Sequence, residues 1–260
     1  MKNNLNKGDF TLLAENYSKS RPDYSPQVVT ALSKYINKPI HEVDFVDVGA
    51  GTGIWTRLIY DKGVRSTIAI EPNNEMRNFG IKDSKYKNIQ WLSGSAEKTG
   101  LKSNTADWVS MASSFHWADT NIALSEFGRI LKPDGLLTLV WNPRLVEANP
   151  LLVEIEVFLK NLLPKMERVS SGYSKFTENL TNTLTNHASF DCVLYVEGRH
   201  NIQMKPERYL QAWRSVNDIQ TQLGPNKFDL FLEFIENVIS NEESINTTYV
   251  TRSWSAINKK

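Results

Sequence analysis

Between Val43 and Trp141, short apolar runs alternate with longer segments in which apolar residues recur every three or four positions. "EVDFVDV", "STIAIE", "NIQWLSG", "ADWVSMAS" and "GLLTLVW" are rich in β-branched and aromatic residues and read as strands. Such alternation predicts parallel strands joined by right-handed crossovers, an α/β doubly wound sheet. Before the last of these strands, residues 119–131 set Ile122, Ala123, Phe127, Ile130 and Leu131 on one helical face, ended by Pro133 and Gly135. Ahead of the first, "SPQVVTALSKYIN" places Val28, Val29, Leu32, Tyr35 and Ile36 on one side of a helix that starts through Ser25 and Pro26.

After Trp141 the rhythm changes. "NPLLVEIEVFLKNLL" stacks Leu151, Leu152, Ile155, Phe158, Leu159 and Leu162 at helical spacing, and Glu147 to about His187 reads as a helical insertion. "CVLYVEGRHNIQM" and "NTTYVTRSWSAIN" then read as strands flanking two helices, Pro206 to about Leu223 and Pro225 to about Ser240. Two late strands with short connections close a mostly parallel, seven-stranded sheet with an antiparallel edge. The expected organisation is an N-terminal segment and helix (1–41), a ligand-binding core (42–146), a helical insertion or lid (147–188), and C-terminal strands with substrate-side helices (189–260).

Composition narrows the function classes. The chain has 260 residues, 40% hydrophobic and 23% charged, which suits one sizeable globular core with a small appended lobe. Net charge is +1 with Lys and Arg spread along the whole length, so the polybasic footprint of a nucleic-acid or membrane binder is missing. A small-molecule ligand is expected, in a monomer or homodimer. Cys192 is the single cysteine, expected as a small buried apolar residue; with no intrachain disulfide possible, a reducing, cytoplasmic setting follows. "MKNNLNKGDF" lacks the apolar centre of a signal peptide, and no run of about 18 apolar residues occurs. His41, His187 and His200 share no ligand-like spacing, so no metal site is expected.

Chemistry concentrates at "VDVGAGTGIW", where a strand meets Gly49, Gly51 and Gly53 and then a helix. In an open α/β sheet this turn is where a ligand sits, beyond the carboxyl ends of the strands at the switch point. Glycines there free the backbone for positive φ and leave it bare for close approach. A dinucleotide fingerprint needs another glycine at the place held by Ile54 or Thr56, and a P-loop needs a lysine, absent between Glu42 and Asp61. Pyrophosphate is therefore the poorer fit and a nucleoside the better. Glu71 ends the next strand, 22 residues after Gly49, near the spacing at which an acid meets a ribose diol. Ser95, Ala96 and Glu97 follow the third strand, placed to meet an adenine rim.

These motifs resemble the class I S-adenosylmethionine-dependent methyltransferases, in particular the small-molecule branch typified by the ubiquinone/menaquinone and trans-aconitate methyltransferases. Asp47 with Gly49, Gly51 and Gly53 matches the family's acid-GxGxG motif, and Glu71 its second acid. "GSAEKTGL" is similar to the "GDAEALPF"-like stretch, with Ser95 where an acid is usual; "YSKSRPDY" resembles the N-terminal "Y..xRPxY" segment, and "SSFHWAD" the "xFHWxD" loop. The resemblance weakens toward "YVTRSWSA" but spans nearly the whole chain. It implies a Rossmann-like methyltransferase fold, and S-adenosylmethionine as cofactor with S-adenosylhomocysteine as product. It also implies cofactor contacts from Tyr17, Arg21, Asp47, Gly49, Ala50, Gly51, Gly53, Glu71, Pro72, Ser95, Ala96, Glu97 and Ser113, with Arg21 facing the cofactor carboxylate.

Methyl transfer of this kind needs positioning and exclusion of water more than chemical groups. His116, after the fourth strand, reads either as general base or as a side chain that bonds a carbonyl and shapes the pocket. Phe115 and Trp117 read as pocket walls or as core. Arg144, Arg199, His200, Arg214 and Arg252 read as members of an anion clamp or as solvated charges, with Arg144 and Arg214 the chosen substrate contacts. The expected activity is methylation of a small metabolite, oxygen favoured; the alternatives are a macromolecular acceptor and a non-catalytic cofactor-binding protein.

Overall fold

The computed structural model describes residues 10–167 and 172–260; the N-terminal stretch 1–9 and residues 168–171 of the expected lid lie outside the described residues. Seven strands, β1 (Asp44–Val48), β2 (Ser66–Ile70), β3 (Gln90–Leu92), β4 (Ala106–Ala112), β5 (Leu131–Trp141), β6 (Phe190–Met204) and β7 (Ile245–Asn258), form one sheet in the order β3-β2-β1-β4-β5-β7-β6. The first five are parallel; β7 runs antiparallel between β5 and β6. Strand order reverses at β1, with β2 on one side and β4 on the other, so the carboxyl ends of β1 and β4 make the crevice where ligands collect in such sheets.

Helices α2 (Pro26–Tyr35), α3 (Ile54–Tyr60), α4 (Asn74–Asp83) and α5 (Thr120–Ile130) cover the parallel part of the sheet. One face packs Val28, Leu32, Trp55 and Ile59 against Phe45 and Trp108; the other packs Phe127 and Ile130 against Val46, Val109 and Leu139. On α5 the apolar stripe differs from expectation at one place: Ile122 is exposed while Leu124 is buried. The Asp119 carboxylate caps the helix by accepting from the N–H groups of Asn121 and Ile122, and helical spacing sets Leu124 on the face of Phe127 while Ile122 turns outward. The helix ends at Ile130, ahead of Pro133 and Gly135, with Leu131 already in β5; Lys132–Gly135 then loops out of that strand, as the register jumps from Ala106↔Leu131 to Trp108↔Leu136.

A second core lies beyond the carboxyl end of the sheet. There α6 (Pro150–Leu162), α9 (Pro206–Arg214) and α10 (Asn217–Ile239) bury Leu152, Ile155, Tyr209, Trp213 and Phe231 together. The break expected between Leu223 and Pro225 falls at Gly224, whose backbone is non-helical (φ 69°, ψ 169°) and divides α10 into two helical stretches; a further break, at Ser215 and Val216, separates α9 from α10. Short helices α7 (Lys175–Glu178) and α8 (Leu180–Thr185) lead into β6. At the other end, α1 (Ala14–Ser20) packs between α4 and α9.

Cys192 is exposed, not buried: it sits at φ 51° in the bulge where β6 changes register between Asp191 and Leu194, which turns its side chain off the sheet. Among the described residues no helix is long and apolar enough to cross a membrane.

Candidate active site

The crevice at the sheet's switch point is the mouth of a cleft of about 580 Å³ that runs under the second core, a volume typical of small-molecule sites. Its sheet side is built by the turns after β1, β2 and β3. Gly51, at φ 58°, presents bare backbone to the cleft and donates its N–H to Glu71 Oε2 at 2.8 Å. Asn73 N–H donates to Glu71 Oε1 at 2.8 Å. The carboxylate is thus held by one backbone bond per oxygen, and each oxygen keeps a further lone pair. Burial pushes the Glu71 carboxyl above its ordinary value, the two N–H bonds opposing it.

The three glycines serve three different ends. A Cβ on Gly49 would stand 2.7 Å from Ser114 Oγ, so that glycine admits the β4 loop. On Gly51 it would meet only Met76 Cε at 3.3 Å, on the cleft side. On Gly53, at the start of α3, it would strike the Trp91 ring at 2.9 Å; this glycine closes helix against sheet and does not line the cleft.

Asp47 also lies outside the cleft. Fully buried, it accepts from Thr56 Oγ1 (2.6 Å) and Ser110 Oγ (2.9 Å), tying β1 to α3 and β4, and burial pushes its carboxyl up to about 7. Because side chains alternate along a strand, Asp47 points beneath the glycine turn while the backbone of Gly49 to Gly51 meets the ligand side. It supports the turn without facing the space above it.

Pro72, Ser95, Ala96, Glu97, Ala50 and Ser113 line the cleft, as do Tyr17 and Arg21 from the N-terminal segment. Glu97 Oε1 accepts from Asp119 N–H at 2.9 Å. The Arg21 guanidinium lies 4.8 Å over the Tyr17 ring and donates from Nε to Ser215 Oγ (2.8 Å) and from Nη2 to Ser215 O (3.0 Å). It therefore bridges the N-terminal segment to the turn between α9 and α10.

After β4, the turn Phe115–Trp117 sends its side chains to different places. Trp117 lines the cleft; Phe115 is fully buried against Phe127 and Phe176 and belongs to the core rather than to a pocket wall. His116 does not line the cleft. Its Nδ1 accepts from Trp141 Nε1 at 3.4 Å, and burial lowers its pKa to about 4, so the imidazole is neutral at neutral pH. Such a ring fills the general-base expectation poorly, being both behind the residues that line the cleft and a weak base.

Of the five candidate clamp residues only Arg144 lines the cleft. Arg214 is exposed on the outer side of α9, about 100° around from the buried Trp213. Arg199 is exposed, His200 Nε2 meets Asp23 O at 2.9 Å, and Arg252 lies over Tyr173, Tyr195 and Trp254. Residues that the sequence left unmarked also line the cleft: Tyr24, Met76, Trp141, Asp218 and Tyr249. Tyr24 stood inside the quoted "RPDY" motif; Met76 comes from α4 and Trp141 from the end of β5, while Asp218 and Tyr249 come from α10 and β7 at the second core.

Residues 46–139 match the family model of a methyltransferase domain. An uncharacterized methyltransferase of Schizosaccharomyces pombe is 27% identical over 214 residues, 80% of this chain and 79% of that protein. The ubiquinone/menaquinone biosynthesis C-methyltransferase of Campylobacter jejuni is 26% identical, covering 61% of this chain and 68% of its own. An uncharacterized methyltransferase of Mycobacterium tuberculosis is 33% identical over 128 residues, and the chain spans about half of that relative, 49%. Among solved structures, a candidate type II methyltransferase from Anaeromyxobacter dehalogenans superposes with a TM-score of 0.62 at 16% identity, over 91% of this chain and 97% of that one; this likeness is one of fold.

Residues 46–139 thus carry a methyltransferase domain, and the chain beyond it is similar to the Schizosaccharomyces pombe methyltransferase over most of its length. The donor set of the cleft fits S-adenosylmethionine. A buried carboxylate with unspent lone pairs suits a ribose diol, and the bare backbone at Gly51 leaves room that a side chain would fill.

Proposed function

We propose that the methyltransferase acts on an oxygen of a small-molecule acceptor held on the second-core side of the cleft. Glu71 beside the bare backbone of Gly51, at the sheet's switch point, is the observation that carries it. In this reading Glu71 takes the ribose hydroxyls, Gly49 to Gly51 lie along the amino-acid portion, and Ser95, Ala96 and Glu97 border the adenine. Arg21 turns its remaining Nη group toward the cofactor carboxylate, and Asp47 and Gly53 hold the turn from behind.

S-adenosylmethionine, when bound, supplies an electrophilic methyl group that leaves its sulfonium by in-line displacement. The chain's own part is to fix the two partners and keep water out. Trp117 and Trp141 border the cleft with large apolar surfaces, and Tyr24, whose hydroxyl pairs with Ser113 Oγ at 3.1 Å, closes its inner end. Burial pushes the Tyr24 phenol up, so it stays protonated and serves as a hydrogen-bond partner. With His116 neutral, weakly basic and outside the cleft, an oxygen already ionised in solution is the acceptor that needs least help. A carbon acceptor, as in the name of the Campylobacter relative, needs a proton removed first.

Isothermal titration with S-adenosylhomocysteine and with NAD, followed by incubation with methyl-labelled donor and a metabolite library, tests the proposal. Binding of S-adenosylhomocysteine and not NAD, and a labelled small product whose new methyl carries the chemical shift of a methoxy group, are expected. Label appearing only in RNA or protein, or in a carbon-bound methyl, would overturn the small-molecule or the oxygen assignment respectively. Tight binding with no product from any acceptor would favour a non-catalytic role. A soluble, cytoplasmic monomer or homodimer is part of the same proposal.

A further inference from the structure

Arg144 is a cation built into the wall of the cleft, and nothing in the methyl-transfer chemistry above uses it. It lies just past β5, where the chain pairs with β7: Arg144 and Tyr249 form an antiparallel bridge, Leu145 N–H donates to Thr248 O (2.8 Å) and Val250 N–H to Pro143 O (2.9 Å). The backbone carrying the side chain is therefore as rigid as the sheet. Its guanidinium stands 4.1 Å from the centre of the Trp213 ring, 5.9 Å from Tyr209 and 6.0 Å from Tyr249. All three rings are buried. Nε donates to Tyr249 Oη at 3.2 Å.

That leaves the Nη groups. Among the described residues they make no hydrogen bond and Arg144 makes no ion pair, although both Arg144 and Tyr249 line the cleft. A buried charge is costly unless hydrogen-bonded and compensated. Burial pushes the Arg144 pKa down, but the surrounding tyrosines and the carboxylate of Glu156, on α6 and also lining the cleft, more than offset it, so the guanidinium stays charged. Asp218 also lines the cleft, and its charge acts on His116. A planar fork with unspent donors, held by a rigid backbone and walled by aromatic rings, is the geometry that recognises an oxyanion bidentately.

We propose that Arg144 is the specificity-determining residue of the acceptor side, and that the acceptor carries an oxyanion, carboxylate or phosphate, attached to a flat apolar body. The Nη groups hold the oxyanion, Tyr249 sets the plane of the fork, and the ring of Trp141 accompanies the body. This deepens the proposed function and rests on it for the word acceptor, whereas the binding site itself does not depend on turnover.

The test is a titration of the wild-type protein, free and saturated with S-adenosylhomocysteine, with three probes of one shape: benzoate, benzamide and phenyl phosphate, followed by ligand-observed NMR. At least one oxyanion should bind roughly tenfold or more tighter than the neutral amide, as hydrogen bonds to a charged partner warrant. Which of the two binds better identifies the group. Arg144→Lys, which keeps charge and fills the aromatic niche, should retain part of the preference, and Arg144→Gln should abolish it while the S-adenosylhomocysteine affinity stays within a few-fold. Benzamide binding as well as both anions, in either state of the protein, would overturn the proposal whether or not the variants fold. Failure of S-adenosylhomocysteine to bind at all would instead count against the methyl-transfer reading, and the probe comparison in the free protein would still decide this one.

Discussion

The N–H of Gly51 donates to the Glu71 carboxylate across the gap between two parallel strands, 2.8 Å from Oε2. This bond joins the glycine turn to the acid that follows β2, so the two sequence motifs 20 residues apart act as one unit. Glu71→Gln keeps the size but turns one acceptor oxygen into a donor that faces a backbone N–H. Affinity for S-adenosylhomocysteine should fall by roughly ten- to a hundredfold, the worth of one or two charge-assisted hydrogen bonds. Since burial raises the Glu71 pKa, the wild-type affinity should also weaken as pH falls, beginning above the ordinary carboxylate value of 4.5, and the Gln variant should lose that dependence. Calorimetry at several pH values measures both, and equal affinities across the pair would remove Glu71 from the site.

Gly51 and Gly53 separate binding from packing. Both hold positive φ, which costs an L-residue about 1–2 kcal/mol. Gly53→Ala adds a clash with Trp91 and should lower stability by more than Gly51→Ala, whose Cβ meets only the mobile end of Met76. The order should reverse for ligand affinity, because only Gly51 faces the cleft. Thermal unfolding with and without S-adenosylhomocysteine gives both numbers; parallel losses in the two variants would mean that the turn is merely structural.

His116 should behave as a buried, neutral ring. Its folded pKa of about 4 lies below the unfolded value of 6.5, so the stability that its neutral form contributes is complete above pH 6.5. That contribution is lost as pH falls from 6.5 toward 4. The ring's NMR signals should hold still from pH 8 to 5, and His116→Gln should keep turnover within a few-fold while flattening the acid side of the stability profile. A titration near neutrality together with lost turnover would restore the general-base role.

The parts of this protein that repeat a simple rule were legible in the sequence. Strand–helix alternation through Trp141 yields the parallel sheet, because each crossover buries one apolar face, and Pro26, Asp119 and Gly53 mark helix starts by local chemistry alone. Side-chain direction was less legible. Asp47 and Gly53 stand within the same motif as Gly51 yet point away from the cleft, since strand alternation and helix closure assign neighbouring residues to opposite sides. Phe115 and Trp117 part company for the same reason within one turn. Arg144 and Arg214 looked alike as isolated charges; only the pairing of β5 with β7 and the burial of Trp213 turn the first inward and leave the second in water. Arg144 and Tyr249 stand 105 positions apart, a separation that no local spacing encodes.

Arg21 offers a test of how the two sides of the cleft are joined. Two of its donors are spent on Ser215, at the turn that opens α10, and the helix beginning there carries Asn217 and Asp218 into the cleft. Arg21→Ala should therefore weaken S-adenosylhomocysteine binding and also loosen the second core against the first. Ser215→Ala removes only the hydroxyl acceptor and leaves the carbonyl one. Measured as unfolding free energies, the two substitutions should couple by about 1 kcal/mol, the share of the side-chain bond they have in common. In ligand affinity the Arg variant should lose more than the Ser variant, because the third nitrogen is free to meet an anion from the cofactor side. Strict additivity would show that the bridge carries no energy, and an Arg21→Ala protein with unchanged affinity would confine Arg21 to holding the turn.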